Sequence, residues 1–243
     1  RSTLFPYTTL FRSRTGFAAA YVVAHHALPH DFAMHGIRVG YLLRFGQEAV
    51  MLFFVLSGFV INYSWAQAPP SVSTYLFNRS ARIYIPLAVA LFLGYAVDSI
   101  NLGQPASLNI KILAGNILML QDVSSLKPGV IADPYKGNSA LWSLSYEWWF
   151  YILYVPLMMQ LRDWRTRTLV VVAIGCLSAL LYLWWPHWVG RIGIYLSIWW
   201  AGVLLSERFL DREQGGIRLV DGWYAVTPGS RSEERRVGKE CRS

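Results

Sequence analysis

The sequence predicts an all-α protein, a polytopic bundle of transmembrane helices, and three observations carry that prediction. Of the 243 residues, 54% are hydrophobic and only 15% are charged, whereas soluble domains carry about 25% charged residues. Apolar runs of membrane-spanning length alternate with short polar stretches between residues 16 and 206. The ends of those runs carry topology markers, with Arg162, Arg165 and Arg167 in one short loop and Trp184, Trp185 and Trp188 in another.

The two chain ends read differently. Residues 4–13 back-translate into a DNA whose reverse complement encodes residues 231–240, and that DNA looks like a common sequencing adaptor. Residues 1–13 and 231–243 are therefore expected to be adaptor-derived and not native, and they are set aside from fold reasoning. Residues 14–222 are expected to form the transmembrane domain, with 223–230 unassigned. Each tail carries +2, leaving +4 of the net +8 on the 217 residues between them. That excess is ordinary for a protein obeying the positive-inside rule and gives no signal for nucleic acid. Outside the tails Cys176 is the one cysteine. It makes no disulfide and no metal site, and is expected as a buried small hydrophobe.

Taken in order, residues 16–29 form the first apolar segment, ending in His25, His26, His30 and Asp31. The eleven steps from Thr15 to His26 rise ~16 Å along a helix, which places His26 well inside the membrane or towards its far face. The histidines and Asp31 lack metal-ligand spacing on one helix face, so no metal is expected. Residues 41–65 form the second segment. Arg44 and Glu48 sit at i and i+4 near its start, Ser57-Gly58 allows close approach of another helix, and Asn62, Tyr63 and Trp65 mark its exit. Arg79 and Arg82 stand at the mouth of a third segment, 77–97. Two readings of that pair stay open: positive-inside anchoring, and a site for an anionic ligand, because a guanidinium fork suits phosphate.

Residues 110–121 are too short to span comfortably, and residues 121–139 are a loop rich in Pro, Gly and Asp. Further spans follow at 140–161, 168–186 and 189–206, with a polar tail over 207–222. The arginines at 162–167 mark the cytoplasmic side. If Arg79 and Arg82 share that side, parity requires residues 110–121 to stay on one side as a re-entrant or interfacial piece. The result is six spans with the N-terminus inside and residues 139–147 near the outer face.

The span 140–161 carries one ionisable side chain, Glu147, in an otherwise aromatic and apolar run. A carboxylate at membrane depth costs about 2.5–3.5 kcal/mol, so it must be neutral, paired or in contact with water. Such an acid marks a candidate functional site; the alternative is a carboxylate capping the helix at the interface.

Four stretches resemble, in order, the membrane-bound acyltransferase 3 family, whose members O-acylate sugars of cell-surface polysaccharides and related acceptors. Residues 16–27, Gly-Phe-Ala-Ala-Ala-Tyr-Val-Val-Ala-His-His-Ala, resemble its first helix, which opens with Arg-Gly and ends in a histidine. Residues 46–59, Gly-Gln-Glu-Ala-Val-Met-Leu-Phe-Phe-Val-Leu-Ser-Gly-Phe, resemble its second-helix signature. Residues 77–86, Phe-Asn-Arg-Ser-Ala-Arg-Ile-Tyr-Ile-Pro, resemble its Arg-Ile-Tyr-Pro element. Residues 141–151, Leu-Trp-Ser-Leu-Ser-Tyr-Glu-Trp-Trp-Phe-Tyr, resemble its Trp-Ser-Leu-x-x-Glu-x-x-Phe-Tyr element. One departure stands out: Thr15 occupies the place of the family's arginine, with Arg14 one step away. Family domains run to about ten spans, so six or seven hydrophobic segments resemble the N-terminal part of such a domain, and a chain cut there is expected to fall short of the whole enzyme.

The resemblance implies a multi-pass inner-membrane enzyme. It would transfer an acyl group, acetyl above all, from acetyl-CoA or another acyl-CoA to a hydroxyl of a carbohydrate acceptor. No bound cofactor is implied, since acyl-CoA is a co-substrate. The reaction needs a base for the hydroxyl proton and a stabiliser for the oxyanion. An imidazole of pKa near 6.5 suits the base, so His26 and Glu147 are the expected catalytic pair, with Glu147 orienting the imidazole or holding the acceptor. Arg79 and Arg82 are expected to bind the donor's phosphates, with Arg14, His25, Ser57, Trp142 and Tyr151 in support. Ser57 itself reads first as a helix-packing residue. The rival reading is a transporter or flippase fragment using Glu147 and His26 as a proton relay.

Overall fold

The computed structural model describes residues 33–34, 37–38, 45–161 and 163–213, and among these residues six α-helices build the architecture. They are α1 (Gly46–Gln67), α2 (Val72–Leu102), α3 (Ile110–Ile117), α4 (Trp142–Gln160), α5 (Trp164–Trp184) and α6 (Trp188–Glu213). A two-residue antiparallel pair, β1 (Ala33–Met34) with β2 (Ile37–Arg38), precedes them. The all-α expectation holds, with a multi-pass membrane protein as its consequence: α1, α2, α5 and α6 are each long and apolar enough to cross a bilayer.

Helix starts follow local chemistry. Ser71 accepts from the Thr74 amide at the start of α2, Asn109 from the amides of Lys111 and Ile112 at α3, and Asp163 from the Thr166 amide at α5. Each side chain satisfies donors that a first helical turn leaves open. Asp163 is half-buried, and these amide bonds hold its carboxyl below the ordinary carboxylate range. Gly103, at φ 64°, ends α2 in the left-handed conformation that glycine adopts without strain.

Several expectations on boundaries and burial are corrected. The third segment begins at Val72, not at residue 77, because Ser71 supplies a cap upstream. Arg79 and Arg82 therefore lie two to three turns inside α2 instead of at its mouth. Cys176 is exposed on α5, on an apolar surface shared with Leu169, Leu177, Leu180 and Leu181, instead of filling a core. Asn62 is fully buried between helices.

α4 is less apolar than the four long helices, and its position explains why. Tyr146, Phe150, Tyr151 and Tyr154 are all buried to within 1%, so its aromatic surface faces other helices and not hydrocarbon. The neighbours make the lipid contact instead: α2 exposes Ile85, Phe92 and Leu93. α1 and α6 are in backbone contact, since any side chain at Gly58 would meet the Trp199 carbonyl and any at Gly202 the Val55 carbonyl. Small residues allow this close approach in lipid.

Contacts along α4 also set the topology. Tyr75 packs beside Tyr154, Arg79 lies over Tyr151 and Tyr84 meets Trp148, so α2 and α4 run antiparallel. Lys136 pairs with Asp98 at 2.7 Å, which places the 118–141 loop beside the end of α2. α3, with eight residues, rises ~12 Å, which is short of the hydrocarbon thickness. The Tyr84 hydroxyl donates to its Ile117 carbonyl at 3.1 Å.

Candidate active site

Two polar clusters leave α4 from adjacent residues. On the side facing α1 and α2, the Glu147 carboxylate accepts from Ser57 Oγ at 3.0 Å and from the Tyr151 hydroxyl. Ser57 and Tyr151 approach each other at 3.4 Å. Helical geometry explains the arrangement: Tyr151 lies at i+4 from Glu147, one turn on, on the same face. Ser57 reaches in because Gly58 lets α1 close on the bundle. Ser57 is thus a ligand of the acid and not only the packing residue expected of it. Glu147 is 7% exposed, in the bundle interior, so the interfacial-cap alternative is set aside.

Arg79 and Arg82 complete this side. Both guanidinium groups act on the Glu147 carboxylate electrostatically, and the Arg79 guanidinium sits 5.5 Å from the rings of both Tyr75 and Tyr151. Among the described residues no cation comes within ion-pair distance of Glu147. The carboxylate is therefore held by hydroxyls, in the field of two arginines, without a committed counter-ion. Trp142 is buried one turn before it, edge-on to Phe54 of α1. Arg14, His25 and His26 lie outside the described residues, as do His30, Asp31 and Arg44. Among the described residues no His/Cys/Asp/Glu cluster could hold a metal.

The second cluster was not anticipated. Asp122, fully buried, accepts from Lys127 Nζ at 2.8 Å, from the Tyr146 hydroxyl at 2.5 Å and from the Val123 amide at 2.8 Å. Arg191 Nε lies 3.1 Å from Oδ2, the oxygen that Tyr146 also meets. Arg191 also donates to the Tyr146 hydroxyl, to Tyr182 on α5 and to the Pro128 carbonyl. One carboxylate thus ties the 118–141 loop to α4, α5 and α6. Lys127 Nζ stands 3.7 Å above the Trp142 ring. Burial pushes its ammonium below the ordinary value, against the opposing pull of Asp122. The sequence signal existed: Arg191 is a charge three residues into an apolar run, the same type of anomaly that singled out Glu147.

A third, smaller cluster lies towards the other end of α4. Tyr154 donates to Asn62 Oδ1 at 2.9 Å, and Asn62 Nδ2 donates to Glu207 Oε1 at 2.9 Å and to Ser206 Oγ at 3.3 Å.

Comparison with known proteins places this architecture. A family model for an acyltransferase domain matches residues 16–224, inside both chain ends. The chain is similar to the acyltransferase MdmB of Streptomyces mycarofaciens, at 34% identity over 171 residues, which is 68% of this chain and 43% of that protein. It is also similar to nodulation protein 10 of Rhizobium leguminosarum bv. viciae, at 27% identity over 181 residues, 67% of this chain and 47% of that protein. The chain thus spans less than half the length of these curated relatives. No solved structure matches it. With the family match covering most of the sequence, and with Glu147, Arg79 and Arg82 gathered in one bundle, the chain belongs to the acyltransferase 3 family.

Proposed function

We propose that this chain belongs to an integral membrane O-acyltransferase of the cell inner membrane. The enzyme moves an acyl group, acetyl above all, from acyl-CoA to a hydroxyl of a cell-surface or exported carbohydrate. The observation that carries the reading is the Glu147 carboxylate, buried in the bundle, held by the hydroxyls of Ser57 and Tyr151 with two arginines acting on it. An acid kept at that depth is retained for chemistry, because lipid penalises it. The family match and a relative named as an acyltransferase support the class of reaction.

In this reading His26 takes the acceptor's hydroxyl proton as the oxygen attacks the thioester carbonyl. Glu147 orients the imidazole or holds a neighbouring acceptor hydroxyl. The C–S bond breaks as the C–O bond forms, and the departing thiolate takes a proton to become free CoA. Arg79 and Arg82 hold donor phosphates that enter from the arginine-rich side of the bundle. The test is transfer from labelled acetyl-CoA to cell-envelope glycan by the full-length gene product. His26→Ala and Glu147→Gln should each abolish transfer; full transfer by both variants would sink the proposal.

A further inference from the structure

Tyr75, Arg79 and Arg82 follow one another at i, i+4 and i+7, on one face of α2. That face lies against α4, where Tyr154 packs beside Tyr75 and Tyr151 lies under Arg79. Helical side chains lean towards the N-terminus, so the Arg79 guanidinium comes to rest 5.5 Å from the Tyr75 ring, one turn earlier. Tyr75 is 3% exposed, closed in by Trp65 of α1 edge-on at 5.4 Å, and Arg79 is half-buried. The Tyr75 hydroxyl and Arg79 Nε are both buried with no hydrogen-bond partner among the described residues. Both donate, and no described oxygen accepts from either. Phenylalanine would fill the space without stranding a hydroxyl, and stranded groups of this kind call for an explanation. What the pair lacks is an oxygen with lone pairs to offer.

We propose that Tyr75 is a donor-binding residue, its hydroxyl and Arg79 Nε together gripping a phosphate oxygen of the acyl-CoA. The proposal rests on the acyl-transfer reading and adds a third group to its donor site. A phosphate oxygen accepts without donating and carries charge, which matches two donors stranded side by side. The location fits as well. Tyr154, beside Tyr75, is hydrogen-bonded through Asn62 to Glu207, which precedes Arg208 and Arg212 on α6. The positive-inside rule makes that arginine-rich end cytoplasmic, the side from which acyl-CoA arrives. From there Tyr75, Arg79 and Arg82 run inward along α2 over ~10 Å. Glu147 lies seven residues inward of Tyr154 on the antiparallel α4, so a phosphate held at the Tyr75 end leaves the rest of the donor to extend towards it. Arg79, the less buried of the pair, meets the arriving anion first, and the phenol behind it closes the grip.

The experiment compares Tyr75→Phe with the parent, both as full-length protein. It reads kcat and KM for acetyl transfer to cell-envelope glycan from acetyl-CoA and from S-acetylpantetheine, which carries no phosphate. It also reads the melting temperature with and without CoA. For acetyl-CoA, KM should rise about tenfold in Tyr75→Phe, the worth of one hydrogen bond to a charged group, with kcat within about twofold of the parent. KM for S-acetylpantetheine should not move. Without CoA the melting temperature should be equal or higher, because the stranded hydroxyl is gone, and the rise that CoA produces should shrink. An unchanged KM for acetyl-CoA overturns the proposal. So does an equal rise for both donors, which puts the hydroxyl on the pantetheine arm, or a fall in kcat alone, which puts it in the chemistry. A lower melting temperature without CoA overturns it too, making the hydroxyl structural and satisfied by buried water. If CoA stabilises the parent and Tyr75→Phe alike, the Tyr75 role goes and the acyl-transfer reading stands. A parent that neither transfers from acetyl-CoA nor gains stability from CoA removes that reading as well.

Discussion

Tyr146 and Glu147 are consecutive on α4, yet the helical turn of about 100° per residue sends them into clusters of opposite character. Tyr146 joins Asp122, whose carboxylate is met by two cations, a phenol and a backbone amide. Glu147 meets two hydroxyls, and the arginines nearest to it act only through space. The difference lies in how fully each acid is committed. A carboxylate whose partners are all fixed is a clamp, because any change of its charge leaves buried cations uncompensated. A carboxylate held only by hydroxyls can exchange partners and reach a substrate at modest cost. Burial alone does not separate the two; partner chemistry does.

The comparison can be broken in four places. Glu147→Gln should lower the rate of acyl transfer by about 10²–10⁴-fold with the melting temperature little changed. A large loss of stability there would make Glu147 a clamp as well. Asp122→Ala should do the reverse, lowering stability by about 3–5 kcal/mol because Lys127 and Arg191 lose their shared anion. Denaturation in detergent micelles would measure it, and a neutral outcome would free the 118–141 loop from its anchoring role.

Ser57→Ala probes the Glu147 side more gently. Loss of one hydrogen bond to a charged group, about 1.5 kcal/mol, corresponds to roughly a tenfold fall in kcat, with no change in helix content by circular dichroism. The smallest effect concerns pH at the clamp. Burial depresses the Lys127 ammonium from its ordinary 10.5, so above the folded-state value the folded protein binds fewer protons than the unfolded chain. Stability relative to Lys127→Met should therefore rise with pH towards 10.5, be fully present above it, and be lost as pH falls through the folded-state value. A relative melting temperature that declines over that window would mean the attraction of Asp122 outweighs burial.

Glu147 was legible because an acid in an apolar run is expensive, and Tyr151 because i and i+4 share a helix face. Arg79 and Arg82 were legible as a pair but misplaced. Their segment was started five residues late, since the Ser71 cap lies in a polar stretch that read as loop. Asp122, Lys127 and Arg191 went unrecognised as a unit because 69 residues separate the first from the last, and only their convergence gives any of them meaning. Asn62 looked interfacial from its polarity, and its burial depends on Glu207 arriving from α6.

By itself the sequence determined the helical class, the alternation of apolar segments and loops, the shortness of the 110–121 segment, and one acid worth explaining. Those properties follow from periodicity, length and the cost of charge in lipid, all of which are local. Tertiary structure alone decided which polar groups meet. That depends on the rotational phase of α4 against α1, α2 and α6, set by glycine contacts and aromatic packing between residues far apart in the chain. A helix turned by one residue would carry Glu147 onto the face that Tyr146 holds, away from Ser57, Arg79 and Arg82.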